Sequence, residues 1–483
     1  MTDSLQTIRE PNPTPSDWRE QRIAELEAEL QRVKAENAGL KEELARLRER
    51  IGELERAGRR QATPFARREP KADPKRPGRK AGEGRFSYRA RPRPEEVDET
   101  REARLEGCPE CGGLLTDVRE QEQFEVDLPE VRPRIRRYVT QSGYCEHCRQ
   151  RVRSRHPEQI SGATGAAGVV IGPRAKALGA DLKHRLGIPW AKISELMRVA
   201  LGLDFTRSGA CQADARLAQQ ARPIYEELIE LISHSAIVHA DETGWRIGML
   251  SAWLWVFTNR EMTVYTIQES RGHEVVVEIL GREFAGILVS DCFAAYDHQA
   301  LAAWLKQKCV GHILKDLSQM EQGKIGGAVR FAREVIAVLR AALALRDRKP
   351  TLSEVGFAAE AARIEQRLDE LIDARRRLTD PDNVRLAKRL RKQRAHLLGF
   401  LYVEGLDATN NQAERMLRPA VITRKTSGCN RTDGGAQTHS ILASILVTCR
   451  QQALPSIDFL VKVQRAVSGV MPSLVPSPQL DTS

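Results

Sequence analysis

Ile23, Leu30, Asn37, Leu44 and Ile51 recur at seven-residue intervals, and Leu26, Val33, Leu40, Leu47 and Leu54 recur between them. The spacing alternates three and four without a break over five heptads, the pattern of a coiled coil with β-branched or Leu residues at a and Leu or Val at d. A stripe this narrow on an isolated helix leaves its apolar side chains in water, so residues 20–56 are expected to be a coiled coil that self-associates as a homodimer through residues 23–54. Asn37, at a central a position, costs stability there and favours a parallel two-stranded register. The alternative is a lone amphipathic helix on a globular surface. Residues 1–19 are polar and proline-bearing and are expected to be disordered.

The charge is uneven. Lys and Arg number 76 against 65 Asp and Glu, a net +11, and the stretch from Ala57 to Pro92 holds 12 basic and 3 acidic residues. A local excess of that size calls for a polyanionic partner, nucleic acid above all. Residues 57–100 have no periodicity and read as a basic linker or arm. Its Lys75-Arg76-Pro77-Gly78-Arg79-Lys80 run has the character of short arms that enter the minor groove, or else of a solvated linker. No stretch approaches the ~18 apolar residues of a membrane span, and the first residues have no apolar signal region. With an odd count of nine cysteines, well below the density of a disulfide scaffold, the expected compartment is a reducing cytoplasm.

Four of those cysteines are grouped. Cys108-Pro-Glu-Cys111 and Cys145-Glu-His-Cys148 are two knuckles whose thiolates suit a tetrahedral Zn²⁺ site over residues 101–160. The run between them, residues 122–144, alternates like the strands of a hairpin. A redox pair, or two unrelated pairs, is the alternative; His147 is not needed as a ligand. Arg136 and Arg137 stand among eight arginines around the second knuckle, a basic setting that fits DNA contact. Residues 161–234 read as helices with glycine breaks at Gly187 and Gly202, a helix-turn-helix-like region in which Ser208, Gln212 and Arg216 would face a groove, or an ordinary bundle.

From residue 236 the pattern changes. Three apolar, β-rich runs (residues 236–247, 251–259 and 262–270) read as an antiparallel meander. A helix follows over 274–284, a buried strand over 285–297, a helix over 298–307 and a fifth strand over 308–314. Three antiparallel strands followed by a β-α-β run match the ribonuclease H-like α/β layout. Its domain is expected to span 235–315 and 406–435, interrupted by an all-helical insertion at 316–405 and followed by a helical region and tail at 436–483. Thr409 is expected to cap a helix, with Gln412 completing a capping box and Pro419 ending it.

Three acids stand out by position. Asp241 falls at the end of the first strand, Asp291 at the end of the fourth, and Glu414 in the capped helix. Strands one and four are neighbours in this layout, so both aspartates can reach one ion. Oxygen ligands suit Mg²⁺ or Mn²⁺, and paired ions can activate a water or a 3′-hydroxyl for in-line displacement at phosphorus. Glu242 and Asp297 compete as candidates. His312, read as ending a strand, would touch phosphate or satisfy a backbone group.

At these residues the chain resembles the transposases of the insertion sequence 66 family, a bacterial DDE group. The likeness rests on the PGRK arm, the paired CxxC module, HADETGW, SDxxxAY, TNNQAERxLRP and RKTSG. It implies a catalytic triad of Asp241, Asp291 and Glu414, with the 122 residues between the last two holding the helical insertion. Where the family usually has Cys-Trp-Ala-His, this chain has Cys309-Val310-Gly311-His312. Arg415, Arg418, Arg424 and Lys425 are either phosphate contacts or solvated charges. The expected function is an insertion-sequence transposase that binds terminal repeats, cleaves at the element ends and joins 3′-hydroxyls to target DNA. Accessory proteins of the element are further expected partners, and a bacterial nucleoid-associated location follows. The rivals are a ribonuclease H-like structure-specific nuclease, which cuts without joining, and a non-catalytic zinc DNA-binding regulator.

Overall fold

A computed structural model of the chain describes residues 15–59, 89–323, 327–373, 378–466 and 471–475. The chain divides into two compact units, Met1–Arg91 and Pro92–Ser483. In the first, α1 (Pro15–Arg59) is one helix of 45 residues. It starts ahead of the boundary expected at residue 20. Proline suits the first helical position because its missing N–H is one the helix could not pair. The a and d side chains from Ile23 to Leu47 are about half exposed, Leu26 at 49% and Ile23 at 55%. The basic arm with Lys75, Arg76, Arg79 and Lys80 lies outside the described residues.

The second unit opens with little regular structure. The expected hairpin between the two CxxC knuckles does not form. Residues 112–141 hold no strand, and the only pairing is β1 (Ser142–Cys145) with β2 (Gln150–Arg153), antiparallel around the second knuckle. Pro129 and Pro133 interrupt the alternating run and lack the N–H that a ladder needs. Three helices follow: α2 (Pro173–His184), α3 (Trp190–Leu201) and α4 (Arg207–Ser233). Gly202, at φ 61°, ends α3, and the Thr206 hydroxyl accepts the Gly209 N–H to cap α4. The start of α4 packs with α3 around Ile193, Met197 and Phe205. Its later turns cover the sheet with Leu217, Ile224, Leu228 and Ile232.

The sheet has five strands: β3 (Ile237–Ile247), β4 (Leu250–Thr258), β5 (Thr263–Gln268), β6 (Ile287–Ser290) and β7 (Leu305–Lys308). Their order is β5-β4-β3-β6-β7. The first three pair antiparallel, and β6 joins β3 and β7 in parallel. Strand β4 is buried on both faces, which explains its unbroken apolar run. Trp255 and Phe257 enter the cluster beneath α4, while Leu254 and Val256 enter the one on the opposite face. Helix α5 (His273–Leu280) makes the crossover between β5 and β6.

The expected helix over 298–307 and fifth strand over 308–314 are displaced. Short 3₁₀ turns occupy 294–297 and 299–301, the strand is β7, and Val310 already begins α6 (Val310–Gly323). His312 is therefore helical, not at a strand end. The helical block continues through α7 (Gly327–Arg348), α8 (Glu354–Asp373) and α9 (Pro381–Gln393), packed with Val289 of β6 in one core.

Helix α10 (Asn411–Ser427) returns the chain to the sheet. It does not stop at Pro419, and Thr409 does not cap it. Its cap residue is Asn410, which makes no side-chain capping bond. The Tyr265 hydroxyl donates to the Met416 carbonyl at 2.6 Å, and Ala413, Leu417 and Ala420 are buried against β3 and β4. That packing holds the helix through the proline, whose missing N–H costs one intrahelical bond. Helices α11 (Asp433–Gln451) and α12 (Ser456–Arg465) complete the layer with α4. Among the described residues, no helix is long and apolar enough to cross a membrane.

Asn430 ties the α10–α11 loop to the end of β3. Its Oδ1 accepts the Trp245 indole N–H at 2.9 Å, and its Nδ2 donates to the Gly435 carbonyl at 2.9 Å. Replacing Asn430 with Ala strands the indole N–H of a buried Trp245 and is expected to cost about 1–3 kcal/mol; chemical denaturation of the two proteins measures it.

Candidate active site

The parallel ladder of β3 and β6 ends at His239 opposite Val289. Two residues further in each strand direction stand Asp241 and Asp291. Asp241 is not at the end of its strand, because β3 runs on to Ile247 in its pairing with β4. Asp291 immediately follows Ser290, the last residue of β6. The common register sets the two aspartates on the same sheet face, and adjacent strands lie about 4.8 Å apart.

Each aspartate is held by backbone. Asp241 Oδ1 accepts the Glu242 N–H at 2.9 Å, and Asp291 Oδ1 accepts the Phe293 N–H at 2.9 Å. Burial pushes the Asp241 carboxyl up to about 7; the charges of Glu242 and Asp291 add to it, while the Glu242 N–H and His312 oppose it. Two acids that repel in a desolvated place, with no ion pair to either among the described residues, form a site short of positive charge.

The two competing acids have partners. Glu242 receives the Arg271 guanidinium at 2.8 Å and the Tyr296 hydroxyl at 2.7 Å. Arg271 is clasped between the rings of Trp253 and Phe293, at 4.1 and 3.9 Å from their centroids. Asp297 is paired with the fully buried Lys308 at 2.9 Å and with Lys392 at 3.3 Å. Tyr296 and Arg271 escaped the sequence reading as site residues, although Tyr296 closes the SDxxxAY block.

Glu414 lies in the first turn of α10. The start of that helix is fastened by the fully buried Asn410. Its Nδ2 donates to the Ala240 carbonyl at 2.8 Å, its Oδ1 faces His239 Nδ1 at 3.2 Å, and its own N–H donates to Cys309 Sγ at 3.1 Å. Asn410 thus grips the two residues preceding Asp241. It too was missed as a site residue, and the only sequence signal was its place in TNNQ. The Cys309 N–H donates in turn to the Ser290 carbonyl at 2.8 Å, beside Asp291.

His312 Nε2 stands 3.6 Å from Glu414 Oε1. Its imidazole is pushed up to about 9, first by the adjoining Cys309 sulfur and then, against burial, by the charges of Glu414 and Asp291. One histidine thus interacts with all three acids. Among the described residues, the set of three potential metal ligands whose donor atoms all lie within 4.8 Å of one another is Cys309, His312 and Glu414; the three acids do not form such a set. Val310 is fully buried beside Ile313 and Leu317.

A pocket of about 300 Å³ opens beside Glu414, lined by Asp407, Thr409, Asn411, Arg415 and Arg418. Arg415, Arg418 and Lys425 are exposed, whereas Arg424 turns inward and donates to the Thr243 hydroxyl at 2.9 Å and the Gly244 carbonyl. Arg136 and Arg137 are exposed, and Arg136 lies 3.8 Å from Glu158.

The cysteine knuckles are shaped alike. Backbone N–H groups of Glu110 and Cys111 hold the Cys108 thiol below its ordinary value, and contacts from Cys148, with the His147 N–H, do the same for Cys145. The residue after each knuckle, Gly112 at φ 73° and Arg149 at φ 54°, is left-handed. No three of the four sulfurs of Cys108, Cys111, Cys145 and Cys148 lie within 4.8 Å of one another.

The raised Asp241 has a consequence for stability. An acid whose pKa is higher folded than unfolded loses stability as pH rises between the two values, from near 4 to about 7. In chelator-treated protein, Asp241→Asn is therefore expected to be more stable than the unsubstituted chain by about 2–4 kcal/mol at pH 8 and nearly equal to it at pH 4. Thermal or denaturant unfolding at the two pH values checks the sign.

The sequence matches the family described as Transposase IS66 family over residues 168–438, more than half of the chain. The match takes in the sheet, the helical block, all three acids and His312. A relative from Sinorhizobium fredii (strain NBRC 101917 / NGR234), described as an uncharacterized protein y4qI, is 24% identical over 310 residues, which are 58% of this chain and 56% of the relative. The chain thus spans about half the length of that relative. With a mixed five-stranded sheet at its centre and the family's sequence across that sheet, this chain belongs to the IS66 family of transposases.

Proposed function

We propose that the chain is a DDE-type DNA transposase with a ribonuclease H-like catalytic domain. Asp241, Asp291 and Glu414 are its catalytic acids. The observation that carries this reading is the convergence of β3, β6 and α10: two aspartates share one register on adjacent parallel strands, and Asn410 stitches the helix bearing Glu414 to the residue before Asp241. The strand order β5-β4-β3-β6-β7 supports the fold assignment.

The donor set fits hard divalent cations. Asp241 and Asp291 offer oxygen ligands, and the raised Asp241 marks a place where a proton is held for want of another positive charge. Mg²⁺ or Mn²⁺ held by Asp241, Asp291 and Glu414 would lower the pKa of an attacking water or 3′-hydroxyl and stabilise the leaving oxygen. The protein's own part is to hold these groups in place. Backbone N–H bonds fix both aspartates, Arg271 and Tyr296 fix Glu242 and the turn after Asp291, and His312 orients Glu414. Arg415 and Arg418, at the mouth of the adjoining pocket, contact DNA phosphate, and Lys425 extends that surface. Arg424 supports β3 instead.

The remaining segments serve DNA capture. The exposed a and d stripe of α1 is the seam of a homodimer that holds two element ends together. Cys108, Cys111, Cys145 and Cys148 form a Zn²⁺ module; the matched N–H bonds and left-handed residues of the two knuckles support it. Ser208, Gln212 and Arg216 line an exposed face at the start of α4, as groove-reading residues would. Lys75, Arg76, Arg79, Lys80, Arg136 and Arg137 add electrostatic affinity for terminal repeats and target DNA. A cytoplasmic, nucleoid-associated protein acting with accessory proteins of its element follows.

The test uses cognate terminal-repeat DNA with Mg²⁺. Asp241→Asn, Asp291→Asn and Glu414→Gln are each expected to lower cleavage and strand joining by about 10³-fold or more while leaving DNA affinity intact. Unchanged cleavage in any of them contradicts the assignment. Cutting without joining by the unsubstituted chain favours a structure-specific nuclease. Arg415→Ala together with Arg418→Ala should weaken binding to all sequences and reduce the log–log salt slope by about 2, read from DNA affinity across a salt series.

A further inference from the structure

Two side chains beside the acids have a different chemistry from theirs. Cys309 is buried and precedes α6, and His312 lies in the first turn of that helix. Glu414 reaches them from α10. A sulfur, an imidazole nitrogen and a carboxylate oxygen thus lie within 4.8 Å of one another. The His312 Nε2 to Glu414 Oε1 separation is 3.6 Å. Ligands at the 2.0–2.3 Å bond lengths of tetrahedral zinc stand roughly 3.3–3.8 Å apart.

Two further observations mark a built site. His312 Nδ1 is buried and, among the described residues, has no hydrogen-bond partner. Cys309 Sγ accepts the Asn410 N–H, a support that orients the sulfur. A mixed sulfur, nitrogen and oxygen set favours a soft or borderline ion over magnesium, which takes oxygen alone. Three protein ligands leave a fourth tetrahedral position open.

We propose that Cys309, His312 and Glu414 bind a thiophilic divalent cation of the zinc class, at a second metal site beside the oxygen site of Asp241 and Asp291. Such an ion engages Glu414. If Glu414 also serves as the third catalytic acid, the ion opposes magnesium-dependent cleavage; only this consequence rests on the proposed function.

Binding is tested on the full-length, metal-stripped chain titrated with Co²⁺, read as equivalents bound and as the thiolate-to-cobalt charge-transfer band. Cys309→Ser and His312→Ala are each expected to bind one equivalent fewer than the unsubstituted chain, whatever the other cysteines hold. Glu414→Gln should keep the charge-transfer band but bind more weakly. Circular dichroism confirms that each variant is folded; if Cys309→Ser does not fold, His312→Ala supplies the same count. Equal equivalents in the unsubstituted chain and the folded variants overturn the proposal. In the cleavage assay, added Zn²⁺ should inhibit the unsubstituted chain, and whatever cleavage Cys309→Ser retains should be less sensitive to it. Absence of cleavage in every sample contradicts the transposase mechanism and leaves the cobalt count standing.

Discussion

The buried side chain of Asn410 joins parts of the chain that are far apart in sequence. The whole helical block from α6 to α9 separates β7 from α10, and loop-closure entropy works against a precise return. Asn410 compensates with directed bonds to the Ala240 carbonyl, the His239 ring and the Cys309 sulfur. The Val310 N–H adds a bond to the Ala408 carbonyl at 2.9 Å. In a dry interior each of these groups costs about 1–3 kcal/mol if left unpaired, so the join is effectively all or none. The position of Glu414 relative to Asp241 is a consequence of it.

Charge sorts the acids around that join. Glu242 and Asp297 have cationic partners, Arg271 and Lys308, and serve the frame. Asp241 and Asp291 have no ion pair among the described residues, and the Asp291 charge adds to the cost of ionising Asp241. A fold that neutralises two acids and leaves two neighbouring ones without an ion pair gives up stability there, the pattern expected of a functional site. Arg271 also ties the frame together, since its guanidinium is held between Trp253 and the Phe293 that follows Asp291.

Much of this was legible in the residues. Apolar runs of strand length marked β3, β4 and β5, and the adjacency of strands one and four followed from the layout. The errors have physical causes. Leu305–Lys308 is a strand in polar disguise: Gln307 and Lys308 are fully buried, their polar ends taken by the Leu397 carbonyl and Asp297. Sequence alone assigned that strand to the more apolar residues after it, which instead turn into α6. Thr409 and Gln412 imitate a capping box, but Asn410 stands at the cap and spends its side chain on the sheet. Pro419 reads as a stop, yet burial against β3 and β4 outweighs one lost hydrogen bond. The convergence of Cys309, His312 and Glu414 had no sequence signal beyond the Cys-x-x-His spacing, because its third member comes from another helix.

The proposed chemistry requires that Asp241 and Asp291 jointly hold hard divalent ions. Electron paramagnetic resonance of Mn²⁺ added to the metal-stripped protein with terminal DNA tests it most directly. A bound Mn²⁺ signal with the spin coupling of two nearby ions is expected, and its loss in Asp291→Asn. An uncoupled signal, the same in the unsubstituted chain and in Asp291→Asn, would contradict it.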